Sequence, residues 1–256
     1  MKRRFKENYP ILLILLISLM FAKLQFNKRS GNEQAVCASI CGDARGYYAW
    51  LPAMFIYNDL NFKFYDSVEF KSTFCGDNKD VPMLDYRKTF EGKTMDKYYP
   101  GASFMMLPFF LIAHFTTIYF IHELPDGYSF YYFKLVPLAA FFYYFMGMLF
   151  FLKLLGKLRL NNVQKTLTIL LLTFGSNIIY YTIDAPLYYH IYSFALIAVF
   201  LYFAFSIKEM PTVKNISLIS FITGLMFITR PVNLSILLML PFILGSELKV
   251  ISLSIL

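Results

Sequence analysis

Residues 11–26 read ILLILLISLMFAKLQF, sixteen positions with a single charge, and residues 2–6 ahead of them read KRRFK. An apolar stretch near the lower limit of about 17 residues for a crossing, led by a basic flank, reads as a first membrane span entered from the cytoplasmic side. It is long for a signal-peptide core and no small-x-small cleavage pattern follows, so it is expected to remain as an anchor. Apolar runs recur at 102–121, 128–152, 166–183 and 189–207, then in a pair, 216–229 and 232–245, broken by Arg230-Pro231. Over 256 residues the chain is 58% apolar, 20% aromatic and only 16% charged, which excludes a soluble globular enzyme and a disordered chain. The net charge of +8 is distributed between the apolar runs and forms no stripe, so it carries topology information and argues against nucleic-acid binding. The expected fold is an all-α polytopic membrane protein, one transmembrane domain over 1–256.

Charge decides the sides. Residues 27–97 form a long polar segment with ten basic and ten acidic side chains, which the first span delivers to the outer face. If 102–121 then crossed fully, the loop holding Lys153, Lys157, Arg159 and Lys165 would fall outside and the loop DAPLYYH (184–190) inside, against the positive-inside bias. One run must therefore not cross. The segment 102–121, interrupted by Pro108 and carrying His114, is expected to be re-entrant or interfacial. That assignment places Asp126, Asp184 and His190 on the outer side. The two halves around Arg230-Pro231 are each too short to span at about 1.5 Å per residue, so 216–245 is expected to be a bent hairpin with its tip at the outer surface. The last residues, SELKVISLSIL (246–256), begin another apolar stretch, as if the chain stopped inside an element.

Few residues in such a chain can carry chemistry. Asp43, in CGDARGYYAW, follows the first span and precedes an aromatic amphipathic stretch; it serves equally as a helix N-cap or as an acid at the membrane surface. Lys97, Tyr98 and Tyr99 stand before the Pro100-Gly101 turn, where a lysine and tyrosines can anchor the chain in the interface or meet a phosphate. Arg230 lies between two apolar halves and needs a polar cavity or an anion; its planar fork suits phosphate or carboxylate. Asp184 and His190 flank a short outer loop. Cys37, Cys41 and Cys75 would face an oxidising compartment, with their pairing open. There is no glycine-rich phosphate loop, no HExxH and no GxSxG.

Four segments in order, GDARGYYAWLPA (42–53), KYYPGASFMMLPFFL (97–111), DAPLYYHIYSF (184–194) and GLMFITRPVNLSILL (224–238), resemble a GT-C-type membrane glycosyltransferase. The likeness is to the branch of protein mannosyltransferases and lipid A aminoarabinose transferases, and especially to multispanning bacterial relatives. It implies a GT-C-like helical bundle with a long first outer loop and one re-entrant segment, in the bacterial inner membrane with its active face outside. It also implies an inverting transfer of a sugar from a polyprenyl-phosphate donor to an acceptor hydroxyl. Asp43 would match the family's first-loop acid and act as general base. Lys97 and Arg230 would hold the departing phosphate, while Tyr98, Tyr99, Asp184 and His190 would contact substrate.

The partners implied are the polyprenyl-phosphate-linked sugar, an acceptor of unspecified identity and membrane lipid, with no nucleic acid. No cofactor is required, although a divalent metal stays open. Asp43 is followed by Ala44-Arg45 and not by a second acid, and the family is longer than this chain, so a truncated member is one expectation. A polyprenyl-phosphate-binding or transport protein without catalysis, or a structural subunit, is the alternative.

Overall fold

The first helix, α1 (Lys2–Arg29), buries Ile14, Ile17, Phe21 and Gln25 and exposes Leu16, Leu19, Met20 and Leu24. That spacing follows the helical period, but both faces are apolar, as suits a helix with protein on one side and lipid on the other. The computed structural model describes residues 2–29, 40, 42–69, 85–122 and 124–245. Cys37, Cys41 and Cys75 lie outside the described residues, as does the apolar stretch that begins at 246.

Within 27–97 the chain is more ordered than a loop. Helix α2 (Ala44–Pro52) runs into a π-helical turn over Ala53–Tyr57 that ends at Asn58 in the left-handed region. A second π-helical turn covers Tyr65–Glu69. Strands β1 (Arg87–Phe90) and β2 (Lys93–Asp96) then form an antiparallel hairpin. Its two-residue tip, Glu91-Gly92, has positive φ at both positions, the geometry that matches the right-handed twist of paired strands. This ribbon is the one departure from an all-α chain among the described residues.

Helix α3 (Gly101–Thr116) continues as a π-helical turn through Ile121. Then come α4 (Phe130–Leu135) and α5 (Leu138–Lys157), offset at Pro137, whose missing N–H opens the second helix. The apolar run 166–183 is not one helix. It divides into α6 (Asn162–Phe174), opened by a reciprocal Asn161–Gln164 capping box, and α7 (Ile178–Ile183), with Gly175, Ser176 and Asn177 between them. Helix α8 (Tyr189–Glu209) and α9 (Val213–Thr229) follow, then a 3-10 segment over Pro231–Met239 and α10 (Leu240–Leu244).

Among the described residues four helical stretches are long and apolar enough to cross a membrane: Tyr9–Lys28, Gly101–Ile121, Phe130–Lys157 and Tyr189–Glu209. Val213–Thr229 and Pro231–Leu244 are shorter apolar helices. The chain is thus a mostly helical integral membrane protein.

Contacts order the bundle. Helices α5 and α8 run parallel, since Tyr143 meets Tyr192, Phe150 meets Tyr202, and Lys157 pairs with Glu209 at 2.5 Å. Gly147 makes their close approach possible, because a Cβ there would lie 3.0 Å from Ala195 Cα. Helix α1 is antiparallel to them, with Phe21 beside Tyr144 and Phe26 under the Lys134 ammonium. Helix α9 returns alongside α8, so that Asn233 donates to Ser193 Oγ at 2.8 Å. One end of the bundle therefore gathers the C-terminus of α1, the starts of α4 and α8, and the end of α9. The start of α3 is there too, with Gly101 against the Thr229 backbone. Toward its other end His114 hydrogen-bonds Tyr132 at 2.5 Å, in the first turn of α4.

Candidate functional site

The residues that could carry chemistry converge at that shared end, and α2 sets the first of them. Asp43 occupies the N-cap position of α2 but makes no side-chain capping bond. Its carboxylate instead accepts the hydroxyl of Tyr98. Tyr98 is fixed by the rest of its atoms. Its N–H donates to Asp96 Oδ1 at 2.8 Å, its carbonyl accepts the Trp50 indole N–H at 3.1 Å, and its ring lies 4.9 Å from that of Tyr47. Such proximity requires Gly46, because a Cβ there would run into the Tyr98 ring and sit 3.0 Å from Asp96 Oδ1.

On the opposite side stands Arg230. Pro231 stops α9 and forces an extended conformation on the residue before it, φ −166. The Arg230 backbone is tied both ways, its N–H to Met226 and its carbonyl to the Asn233 N–H at 2.9 Å. The guanidinium carbon lies 4.2 Å from the centre of the Tyr189 ring, a cation–π geometry. Tyr189 and Tyr47 are in ring contact at 5.5 Å. Arg230 and Asp43 form no ion pair with each other; tyrosine rings stand between the two charges.

This arrangement tunes the phenols. The Tyr47 hydroxyl is pushed up to about 12, first by burial and then by the charges of Asp43 and Asp96, with Arg230 pulling the other way. Tyr98 is pushed higher still by burial, by its bond to Asp43 and by that carboxylate's charge. Both therefore stay protonated at neutral pH and keep a hydroxyl between the carboxylate and the guanidinium. His190 closes the cluster, stacked 3.8 Å from Tyr181 and within electrostatic reach of Asp43.

Of the residues singled out in the sequence, Asp43, Tyr98, Arg230 and His190 thus come together. Lys97 stands at the edge of the cluster: Nζ lies over the Tyr98 ring, 5.2 Å from its centre, and donates to the Asp85 carbonyl at 3.3 Å. Tyr99 is turned outward and exposed. Asp184 forms an ion pair with Lys28, fastening the end of α1 to the chain after α7. Among the described residues no three His, Cys, Asp or Glu gather where they could hold a metal.

Sequence reasoning missed Tyr47, Tyr189 and Asp96. Tyr47 had a legible signal, since it lies four residues after Asp43 and so one helical turn along the same face. Tyr189 adjoins a residue already named, but nothing in its spacing distinguished it from the five other Tyr and Phe residues over 180–194. Asp96 reads as one loop acid among many; only its burial, 8% exposed beneath Tyr98, separates it.

Comparison with protein-family models, with curated proteins and with solved structures finds no match.

Proposed function

We propose that the chain is a membrane glycosyltransferase of the GT-C kind that moves a sugar from a polyprenyl-phosphate donor to an acceptor hydroxyl at the outer membrane face. The observation that carries this is the pair of half-buried opposite charges, Asp43 and Arg230, kept from neutralising each other by Tyr47, Tyr98 and Tyr189. A carboxylate and a guanidinium left apart are each available to a ligand. On this reading the donor phosphate lies against the exposed edge of Arg230, and the acceptor hydroxyl lies against the Asp43 oxygen that Tyr98 leaves open. The hydroxyl oxygen attacks the anomeric carbon and its proton passes to Asp43. The bond from that carbon to the phosphate oxygen breaks, and the electron pair departs with the polyprenyl phosphate, whose added negative charge Arg230 stabilises. Attack from the face opposite the phosphate inverts the anomeric centre.

The sidedness belongs to the same proposal. Lys157, Lys165, Lys208 and Lys214 sit at or beyond the far ends of α5 and α8, with KRRFK leading α1, so that end is inner by the positive-inside bias and the Asp43 end is outer. With both its ends tied to groups of the outer end, Gly101–Ile121 lies there as an interfacial or re-entrant helix. The bacterial inner membrane is the setting that the resemblance implies.

A rival reading, a lipid-phosphate binder without catalysis, has one observation in its favour: one of the two Asp43 oxygens already accepts the Tyr98 hydroxyl. Reconstituted protein separates the two. With undecaprenyl-phosphate mannose and undecaprenyl-phosphate aminoarabinose as donors, release of undecaprenyl phosphate should depend on Asp43. The Asp43→Asn variant should lose release by about 100-fold or more, the scale of a lost general base, while native mass spectrometry still finds undecaprenyl phosphate bound. Binding without release in the wild type would establish the rival.

A further inference from the structure

The β1–β2 ribbon has two unlike faces. In an antiparallel ladder directly opposed residues share a face, so Arg87, Thr89, Thr94 and Asp96 lie on one and Lys88, Phe90, Lys93 and Met95 on the other. The first face is turned onto the protein through Arg87, Thr94 and Asp96, with Thr89 near the tip exposed. Arg87 grips both oxygens of Asp66 at 2.8 and 2.9 Å and stacks 4.2 Å from the Tyr65 ring centre, while Asp96 is buried beneath Tyr98. All four residues of the second face are exposed, Phe90 at 63% and Met95 at 45%.

We propose that this second face is a membrane-contact surface, seated among anionic lipid headgroups. Two properties point to that partner. First, the composition is one that an interface satisfies at both depths: Phe90 and Met95 gain by leaving water, and Lys88 and Lys93 can lay their stems beside them while holding their ammonium groups against phosphates. No acid shares the face, and Glu91 at the turn is outnumbered by the two lysines. Second, the ribbon is tethered to the bilayer. Only residues 97–100 separate β2 from the start of α3, which at strand rise is a reach of about 13 Å. Gly101 itself touches the end of the apolar helix α9. The ribbon's base is therefore held close to the start of an apolar helix. A soluble protein partner would draw on the same apolar pair, but nothing tethers it here, and the cationic flanks favour the lipid.

The inference does not depend on the catalytic reading, and its test reads lipid contact directly. The photoreactive residue p-benzoylphenylalanine is placed at Phe90 in the full-length protein, and separately at Thr94 on the inward face. Each variant is illuminated in its native membrane and in vesicles containing phosphatidylglycerol. Lipid adducts found by mass spectrometry should form at position 90 several-fold more than at 94. They should fall several-fold in Lys88→Gln/Lys93→Gln, or when phosphatidylcholine replaces phosphatidylglycerol. Equal lipid labelling at both positions, the absence of lipid adducts at 90, or crosslinking there to another protein or to this chain instead overturns the proposal. Since Phe90 is already exposed, its replacement removes no packing that folding needs.

Discussion

The Tyr98 hydroxyl donates to the Asp43 carboxylate, and the ring that carries it rests on Gly46, the one residue at that turn of α2 that leaves room for it. The link spans two segments 55 residues apart in the chain. Replacing Gly46 with Ala should therefore push the Tyr98 ring off its seat and separate the two groups, at a cost of about 1–3 kcal/mol for overpacking. Trp50 reports it: the protein's single tryptophan donates its indole N–H to the Tyr98 carbonyl, so Gly46→Ala should shift the emission maximum. An unchanged spectrum and unchanged melting temperature would contradict the packing described.

Two other glycines give a paired prediction. A Cβ on Gly101 would collide with the Thr229 backbone, which cannot rotate away, whereas a Cβ on Gly224 would meet nothing within 4 Å. Gly101→Ala should lower the melting temperature and weaken any ligand binding that depends on Arg230. Gly224→Ala should leave binding alone and, through helix propensity, stabilise by up to about 1 kcal/mol.

Arg230 offers a test of shape against charge. Its flat head lies over the Tyr189 ring at 4.2 Å, a planar overlap that a compact lysine ammonium cannot reproduce. On the proposed reading Arg230→Ala should abolish retention of undecaprenyl phosphate in native mass spectra. Arg230→Lys, with the charge intact, should still weaken it by tenfold or more. Full retention in Arg230→Lys would show that charge alone suffices.

Acid should loosen the ribbon. Arg87 holds Asp66 below the usual carboxylate range through hydrogen bonds and charge; at Asp85 burial pushes upward, but the bonds and charge from Arg87 outweigh it. A carboxyl lowered on folding stabilises the folded state above its unfolded value of about 3.9, and that contribution drains away as pH falls below it. Amide exchange in 87–96 should accelerate below about pH 4, after correction for intrinsic rates, and Arg87→Gln should abolish the extra acid sensitivity. Exchange that tracks pH identically in both proteins would remove Arg87 as the cause.

Topology is open to direct labelling. Cysteines introduced beside Asp126 and Asp184 should react in intact cells with an impermeant thiol reagent, and one beside Lys157 should not. The reverse pattern would separate Asp184 from the outer site.

What the sequence made legible follows from where the physics is local. Apolar length and basic flanks mark spans without reference to the rest of the chain, which is why α1, α5 and α8 could be read directly. The bent pair at Arg230-Pro231 was equally plain, because proline is a local instruction. The break in 166–183 was harder, since Gly175-Ser176-Asn177 sits inside an apolar run whose mean hydropathy conceals it. Hardest was the ribbon. Its strands are polar and short, and what holds them is the clasp of Arg87 on Asp66, 21 residues back, beside the local pair with Asp85. The site divides the same way: Asp43 and Arg230 are conspicuous for their settings, whereas the Asp85 carbonyl that Lys97 meets lies twelve residues back and leaves no mark beside it.

The parallel course of α5 and α8 obliges the chain to travel the full depth of the bundle between Leu158 and Tyr188, and it does so in two pieces. Ser176 covers the gap, its hydroxyl donating to the Leu172 carbonyl at 2.6 Å and accepting the Ile178 N–H at 3.3 Å. The return path is therefore an articulated strut. Its upper rod is moored by Lys28 on Asp184 and Gln25 on Thr182, and its lower rod by the hydrogen bond between Thr173 and Tyr144 at 2.9 Å. The return path is thus held to α1 and α5 on both sides of Gly175, and the Tyr181–His190 stack belongs to its upper piece.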